Sequence, residues 1–175
     1  MPLYFAYGSN MDLDAMRARC PRSRLVGRAR LARHTIGLMA DGFATVARHP
    51  RADVHGLLFD LALADVPALD RYEQVAKGWY AKVIQPVLPE EGAARRALVY
   101  VGRAPCSATA QKAPHYLDNL VTAARAAGLP ADYIESLAQL GQGGQGVHGG
   151  HGQGGRTVAG RSQRAIKWPP TTDAG

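Results

Sequence analysis

The sequence predicts one domain that combines β-strands with helices, and three observations support this. An apolar, β-prone run at Leu3–Phe5 leads into the turn residues Gly8-Ser9-Asn10 and then into a helix-like segment. Further β-rich runs, separated by turn residues, follow between positions 25 and 101. Helical stretches with apolar stripes occupy residues 113–140. A chain of 175 residues is long enough to bury one ordinary hydrophobic core.

The last part of the chain has a different composition. Residues 141–175 hold more than half of the chain's 20 glycines, together with Gln, His and few large apolar residues. Such a segment cannot bury enough apolar surface to offset the entropy of ordering it. We therefore predict a folded domain over residues 1–140 and a disordered tail over residues 141–175. The GxGxxG match at Gly141–Gly146 and the histidines His148 and His151 are interpreted as tail sequence, not as nucleotide or metal sites.

Composition excludes several classes of protein. No apolar run approaches the ~20 residues needed to span a bilayer, and the N-terminus lacks the features of a signal peptide. The two cysteines, Cys20 and Cys106, match no metal or redox pattern and are predicted to be buried thiols. We therefore expect a cytoplasmic protein that binds no metal and no membrane. A single compact domain makes a monomer the default expectation.

The net charge of +7 raises the question of nucleic-acid binding. The basic block between Arg17 and Arg33 is not interleaved with stacking aromatic residues, as a binder of single strands would require. We interpret this block as a solvated face and predict no nucleic-acid partner. The competing hypothesis, a nucleic-acid binder that uses this block and the tail, predicts an affinity that falls steeply with salt.

Local patterns predict the elements of the first half of the domain. Met11–Cys20 has an apolar face typical of a short helix, and Pro21 ends it. Ser9 and Asp12 have the spacing of a capping box at its start. Leu25–Met39 contains the alternation of one strand or two.

Two short strands and a helix follow. Phe43–Ala47 is predicted to be a strand that stops at His49-Pro50. Val54–Phe59 is predicted to be a second strand, in which Gly56 marks a bulge or a close backbone approach. The segment Ala62–Tyr72 is predicted to be a helix with a proline in its first turn.

The second half is predicted to contain a hairpin and two helices. Trp79–Leu88 and Ala97–Val101 are β-rich and are linked by the turn sequence Pro89–Gly92. Residues 113–140 are predicted to be helical, with a stop at Gly128-Leu129-Pro130.

One carboxylate interrupts the apolar stripe of the helix that begins at Ala62. Val66 and Leu69 define this stripe, and Glu73 is seven residues after Val66, on the same face. Burial would raise the pKa of such a carboxyl toward the range that a general acid/base needs. The alternative is that the helix ends by Tyr72 and Glu73 turns into solvent. The pattern alone does not separate these two interpretations.

The turn at Gly8-Ser9-Asn10 is a candidate anion-binding site. A strand that enters a helix through a tight turn directs backbone N–H groups toward whatever lies above it. These groups favour an anion or a developing oxyanion. An ordinary strand-to-helix connection has the same composition, so the turn alone does not establish a site.

Four segments in order resemble the γ-glutamylcyclotransferase (AIG2-like) family. The first two are Phe5-Ala6-Tyr7-Gly8-Ser9-Asn10-Met11 and Gly42-Phe43-Ala44-Thr45-Val46. The third is Leu69-Asp70-Arg71-Tyr72-Glu73 with Gly78-Trp79-Tyr80. The fourth is Ala127-Gly128-Leu129-Pro130 with Tyr133. The resemblance covers about residues 3–140. The sequence departs from the family at Gln74, where a Gly after the Glu is usual.

The resemblance implies a small α+β fold in which a mixed sheet curls into a barrel with helices around it. It implies that Tyr7, Gly8, Ser9 and Asn10 grip the glutamyl part of a substrate, that Glu73 is the catalytic acid/base and that Tyr80 lines the pocket. The implied reaction cyclises a γ-glutamyl amide to 5-oxoproline and requires no cofactor. Asn10 stands where the glutathione-degrading relatives typically carry Leu, which argues against that branch.

Three questions stay open at this point. The leaving group could be an amino acid, a small amine, a lysine side chain or a biosynthetic intermediate. A non-catalytic binding module on the same fold is the main alternative function, with Glu73 as a polar anchor. A nucleophilic Ser9 is a further alternative, and it would need a base such as His34, His55 or His115 within reach.

Overall fold

The computed structural model of the chain describes residues 2–110, 113 and 115–140. Within these residues the strands are β1 (Leu3–Ala6), β2 (Arg24–Leu38), β3 (Ala44–Asp60), β4 (Tyr80–Pro89) and β5 (Arg95–Gly102). The helices are α1 (Leu13–Arg19), α2 (Val66–Tyr72), α3 (Tyr116–Ala126) and α4 (Ala131–Gln139). The predictions for residues 141–175, including the disordered tail, lie outside the described residues.

The sheet closes into a barrel with the strand order β1-β3-β2-β4-β5. β1 runs parallel to β5, whereas the other neighbouring strands are antiparallel. The predicted α+β class with a mixed, barrel-like sheet is therefore confirmed. No helix in the described part of the chain has the length and apolar character needed to cross a bilayer.

β1 lies between β3 and β5 in the barrel wall, and all four of its residues are buried. Its close neighbour β3 contains Gly56, where an added Cβ atom would lie 2.2 Å from the carbonyl oxygen of Ala6. Any side chain at Gly56 would therefore push β1 and β3 apart. The predicted close backbone approach at Gly56 is confirmed.

The prediction of two strands on either side of Pro50 is wrong, because β3 is one continuous strand from Ala44 to Asp60. Pro50 is exposed and lies between two positions that pair with β2: Arg48 pairs with His34, and Asp53 pairs with Ala32. The register shifts at this point of β2, where Arg33 has a φ of 58°. A proline outside the paired positions removes no ladder hydrogen bond, so the strand continues through it.

The predicted helix after the first turn is confirmed as α1, but the predicted capping box is wrong. Asp12 is the N-cap, and its carboxylate accepts hydrogen bonds from the N–H groups of Asp14 and Ala15. Ser9 instead begins a separate 3₁₀ turn, Ser9–Met11. The side chain of Ser9 therefore does not cap α1 and is available to contact other elements.

The helices cover the barrel with the apolar stripes that the sequence predicts. α3 and α4 pack against each other, with Tyr116, Leu120 and Leu137 buried. The break between them contains Gly128, whose φ of 66° suits glycine. The prediction of two buried thiols is half wrong: Cys20 is buried, but Cys106 is exposed.

Candidate active site

A pocket opens at the end of β1 and is lined by residues from four of the five strands and from the helical segments next to them. Every site residue that the sequence analysis named lies in its wall, with four further residues. The complete lining is Tyr4, Tyr7, Gly8, Ser9, Asn10, Ala44, Glu73, Tyr80, Tyr100 and Tyr116. The barrel thus brings the Gly8-Ser9-Asn10 turn and Glu73 together, although more than 60 residues separate them along the chain.

Glu73 is buried in this pocket, with a side chain that is 8% exposed. α2 ends at Tyr72, as the solvent-facing alternative assumed, and Glu73 is its C-cap. Its N–H still donates to the carbonyl oxygen of Leu69 at 2.8 Å, which keeps Glu73 in register with the fully buried Leu69. Glu73 therefore points inward although the helix stops before it.

Asn10 connects the turn to Glu73. Its Nδ2 atom donates to Oε1 of Glu73 at 2.9 Å and to the hydroxyl of Tyr4 at 2.8 Å. Its Oδ1 atom accepts a hydrogen bond from Nη1 of Arg19. Both ends of the Asn10 amide are therefore bound, and its orientation toward Glu73 is defined.

Burial raises the pKa of Glu73 from 4.5 to about 8, while the charge of Arg19 and the hydrogen bond from Asn10 oppose this increase. Desolvation penalises the charged form of a carboxyl, and this cost outweighs the two stabilising contacts. A group with a pKa near the ambient pH can both accept and donate a proton. Glu73 has this property.

Tyrosines make up half of the residues that line the pocket, and their hydroxyls are bound to the protein. The hydroxyl of Tyr7 donates to the carbonyl of Tyr100 at 2.6 Å, and the hydroxyl of Tyr80 donates to that of Ala44 at 2.7 Å. Burial raises the pKa of all five tyrosines in the lining. The wall is therefore uncharged at neutral pH, which leaves Glu73 as the titrating group of the pocket. The predicted pocket position of Tyr80 agrees with this geometry.

Known proteins share both the sequence pattern and the fold. Residues 53–137 match the AIG2-like family. The gamma-glutamylcyclotransferases of Homo sapiens and Mus musculus are 27% and 28% identical over 145 residues, which cover 77% of this chain and 76% of each relative. A solved gamma-glutamyl cyclotransferase structure superposes with a TM-score of 0.68 at 26% identity, over 78% of this chain and 86% of that one. The chain is similar to the γ-glutamylcyclotransferase (AIG2-like) family in both sequence and fold.

The similarity to gamma-glutamylcyclotransferases supports an enzyme of this kind. The matched segment, residues 53–137, contains Glu73 and Tyr80. The Gly8-Ser9-Asn10 turn lies outside that segment, and the barrel places it against Glu73. Among the described residues, no group of three or more His, Cys, Asp or Glu side chains is arranged to hold a metal ion.

Arg19 and Tyr72 are site residues of this γ-glutamylcyclotransferase relative that the sequence analysis missed. The guanidinium carbon of Arg19 lies 3.4 Å from the ring centroid of Tyr72, and the Tyr72 hydroxyl is 2.7 Å from Oγ of Ser9. The interpretation of the block from Arg17 to Arg33 as a solvated face is therefore wrong at Arg19. Its contacts with Asn10 and Tyr72 depend on the folded chain, so no local pattern distinguishes it from its neighbours.

The hypothesis of a nucleophilic Ser9 finds no support in these contacts. Oγ of Ser9 is hydrogen-bonded to Tyr72. Nδ1 of His34 contacts the carbonyl of Ala32, the ring of His55 packs against Tyr133, and His115 is exposed. In the described part of the chain, no histidine is hydrogen-bonded to Ser9.

Gln74 adopts the left-handed conformation that glycine accepts most readily, with φ 52° and ψ 40°. The backbone after Glu73 therefore has the geometry expected of the glycine usual in the γ-glutamylcyclotransferase family. The side chain of Gln74 offsets part of the strain, because Nε2 donates to the carbonyl of Arg71 at 3.0 Å.

We expect Gln74→Gly to increase the free energy of unfolding by up to about 1 kcal/mol, because glycine relieves the strain of the left-handed conformation. Gln74→Ala should decrease it, since alanine keeps the strain and loses the hydrogen bond to Arg71. Urea denaturation of wild type, Gln74→Gly and Gln74→Ala measures the order of their free energies of unfolding. A more stable Ala variant would contradict this account.

Proposed function

We propose that the protein cyclises a γ-glutamyl amide to 5-oxoproline and releases an amino acid or amine, with Glu73 as general acid/base. The observation that carries this proposal is a buried carboxyl whose pKa is raised to about 8 in a pocket otherwise lined by neutral groups. Perturbed carboxyls in such pockets are typical of catalytic sites. The similarity to gamma-glutamylcyclotransferases supports the choice of this reaction.

The reaction needs positioning more than a strong nucleophile. The α-amine of the glutamyl group attacks the γ-carbonyl carbon of the same residue, and a new C–N bond closes the five-membered ring. The nucleophile is tethered, so the pocket must fold the substrate into the ring-closing conformer. Correct orientation of this kind can contribute ~7–11 kcal/mol to lowering the barrier. The rigid tyrosine wall supports this role.

Two proton transfers accompany ring closure, and Glu73 can make both. The ionised carboxylate accepts a proton from the α-amino group as that group attacks. The resulting carboxylic acid then donates the proton to the leaving nitrogen as the original amide C–N bond breaks. Each cycle thereby restores the carboxylate. Transfers of this type contribute on the order of 10²–10⁴-fold.

The turn at Gly8-Ser9-Asn10 supplies backbone N–H groups that can bind a negatively charged oxygen of the substrate. The N–H groups of Met11 and Asp12 are bound within the turn, at 3.0 Å and 3.2 Å from the carbonyl oxygens of Gly8 and Ser9. The N–H groups at the start of such a turn have no acceptor within it. We assign them to the α-carboxylate or to the oxyanion of the tetrahedral intermediate.

A panel of γ-glutamyl amides tests the proposal and identifies the leaving group. The panel comprises γ-glutamyl amino acids, γ-glutamyl alkylamines and Nε-(γ-glutamyl)lysine, with 5-oxoproline measured by mass spectrometry. We expect turnover of at least one class. Binding of these amides without formation of 5-oxoproline would instead favour a non-catalytic binding module.

A further inference from the structure

We propose that Arg19 is a positioning residue for Glu73, because its guanidinium holds the Asn10 amide in the orientation that presents Nδ2 to the carboxyl. This inference rests on the proposed function of Glu73. It assigns a specific role to a residue that lies outside the pocket wall. Arg19 is half-buried and is the last residue of α1.

Three elements meet at Arg19. Its Nη1 donates to Oδ1 of Asn10 in the turn, and its guanidinium lies flat over the ring of Tyr72 at the end of α2. The Tyr72 hydroxyl returns to the same turn through Ser9. An Arg–aromatic stack and a directed hydrogen bond together restrict a planar group in position and in rotation. Arg19 is therefore held between the two segments that carry Asn10 and Glu73.

The donor-only chemistry of Arg19 determines which end of the Asn10 amide faces Glu73. A guanidinium donates hydrogen bonds and accepts none, so only Oδ1 of Asn10 can face it. The Nδ2 end is then directed to Oε1 of Glu73 and to Tyr4. Without Arg19, the amide could turn its carbonyl oxygen toward the ionised carboxylate, and the two oxygens would repel each other.

Arg19 also supplies the charge that acts on Glu73. The other titratable groups that face Glu73 come from β1 and the following turn, α2, β4, β5 and α3, and all are tyrosines: Tyr4, Tyr7, Tyr72, Tyr80, Tyr100 and Tyr116. Burial raises the pKa of each, so they are neutral at neutral pH. Among the described residues, Arg19 is the cation that lowers the pKa of Glu73. The charge of Arg19 thereby favours the ionised form of Glu73, which burial disfavours.

Three variants test this role. Arg19→Met removes the charge and the hydrogen bond but keeps an unbranched side chain over Tyr72. Arg19→Lys keeps the charge and loses the planar donor. Arg17→Met is the matched control, because Arg17 lies on the same helix with a side chain that is 76% exposed. For each protein we would measure the pH dependence of kcat/KM and titrate the Glu73 carboxyl by ¹³C NMR, with Glu73→Gln assigning the signal.

We expect Arg19→Met to shift the ascending limb of the pH profile and the Glu73 titration upward by about one pH unit. The rate at neutral pH should fall by up to about tenfold from this shift alone. Arg19→Lys should titrate close to wild type but lose at least about threefold in kcat, since an ammonium has no planar group to stack on Tyr72 and does not hold its donor in a fixed direction toward Oδ1 of Asn10. Arg17→Met should match wild type in both measurements.

The possible outcomes distinguish the positioning role of Arg19 from the proposed function of Glu73. An active wild-type protein with the same Glu73 titration in Arg19→Met would overturn the role of Arg19 alone. If no amide turns over but the titration shifts, the proposed function fails and the action of Arg19 on Glu73 is supported. If Arg19→Met does not fold, Arg19→Lys decides the question: unchanged kcat would overturn the positioning role.

Discussion

Glu73→Gln should lower the turnover of a γ-glutamyl amide by about 10²-fold or more while the protein stays folded. Glutamine has nearly the same shape and can still accept the hydrogen bond that Nδ2 of Asn10 donates to Oε1. It cannot take a proton from the attacking amine or return one to the leaving nitrogen. The loss should appear in kcat as well as in kcat/KM, because it removes an interaction of the transition state.

Glu135→Gln is the control for this measurement. Glu135 lies on α4 and is exposed, so the same chemical change there should leave the rate unaltered. Circular dichroism of both variants verifies that the barrel is intact. A Glu73→Gln protein that keeps more than about a tenth of the wild-type rate would show that Glu73 is not a proton shuttle of this strength.

The same carboxyl should make the protein less stable as the pH rises. The pKa of Glu73 is about 8 in the folded protein, against 4.5 for an ordinary glutamate. Between these two values the folded state holds a proton that the unfolded state has lost. The free energy of unfolding should therefore decrease by up to about 1.4 kcal/mol per pH unit across this window, and level off above the folded pKa.

The comparison with Glu73→Gln isolates this contribution from those of other groups. The pKa of His55 is lowered by burial, so this side chain also makes stability depend on pH, in the opposite direction. The difference between wild type and Glu73→Gln cancels such terms. Urea denaturation of both proteins at several pH values from 5 to 9 should show the variant becoming progressively more stable than wild type, by several kcal/mol in total. Parallel profiles would mean that the Glu73 carboxyl is not buried in solution.

Both predictions have one physical cause. A carboxyl that is desolvated by burial is useful as a proton shuttle because its pKa approaches neutrality, and it destabilises the fold when it ionises. Stability lost at an active site is a common cost of catalytic chemistry. An increase of stability together with a loss of turnover in Glu73→Gln would connect the two effects in a single residue.

The sequence by itself determined most of the elements and indicated the residues of both halves of the site. Apolar periodicity placed α1, α2, α3, α4 and the hairpin of β4 and β5 close to their observed positions. The apolar stripe of α2 made an inward-facing Glu73 one of two interpretations, and Gly56 indicated a bulge or a close backbone approach. These features follow from local rules, since the spacing of side chains along a helix or strand decides which face they occupy. The pairing of the turn with Glu73 came from the family resemblance.

Only the tertiary structure decided how these parts act together. Closure of the barrel brings Asn10 to Glu73, and Arg19 at the end of α1 contacts both Asn10 and Tyr72. Ser9 has the spacing of a helix cap, yet its hydroxyl is bound to Tyr72. The pKa of Glu73 likewise depends on burial among rings from several separate elements. Such contacts join residues far apart in the chain, and their energies depend on distance and desolvation, which a sequence pattern does not contain.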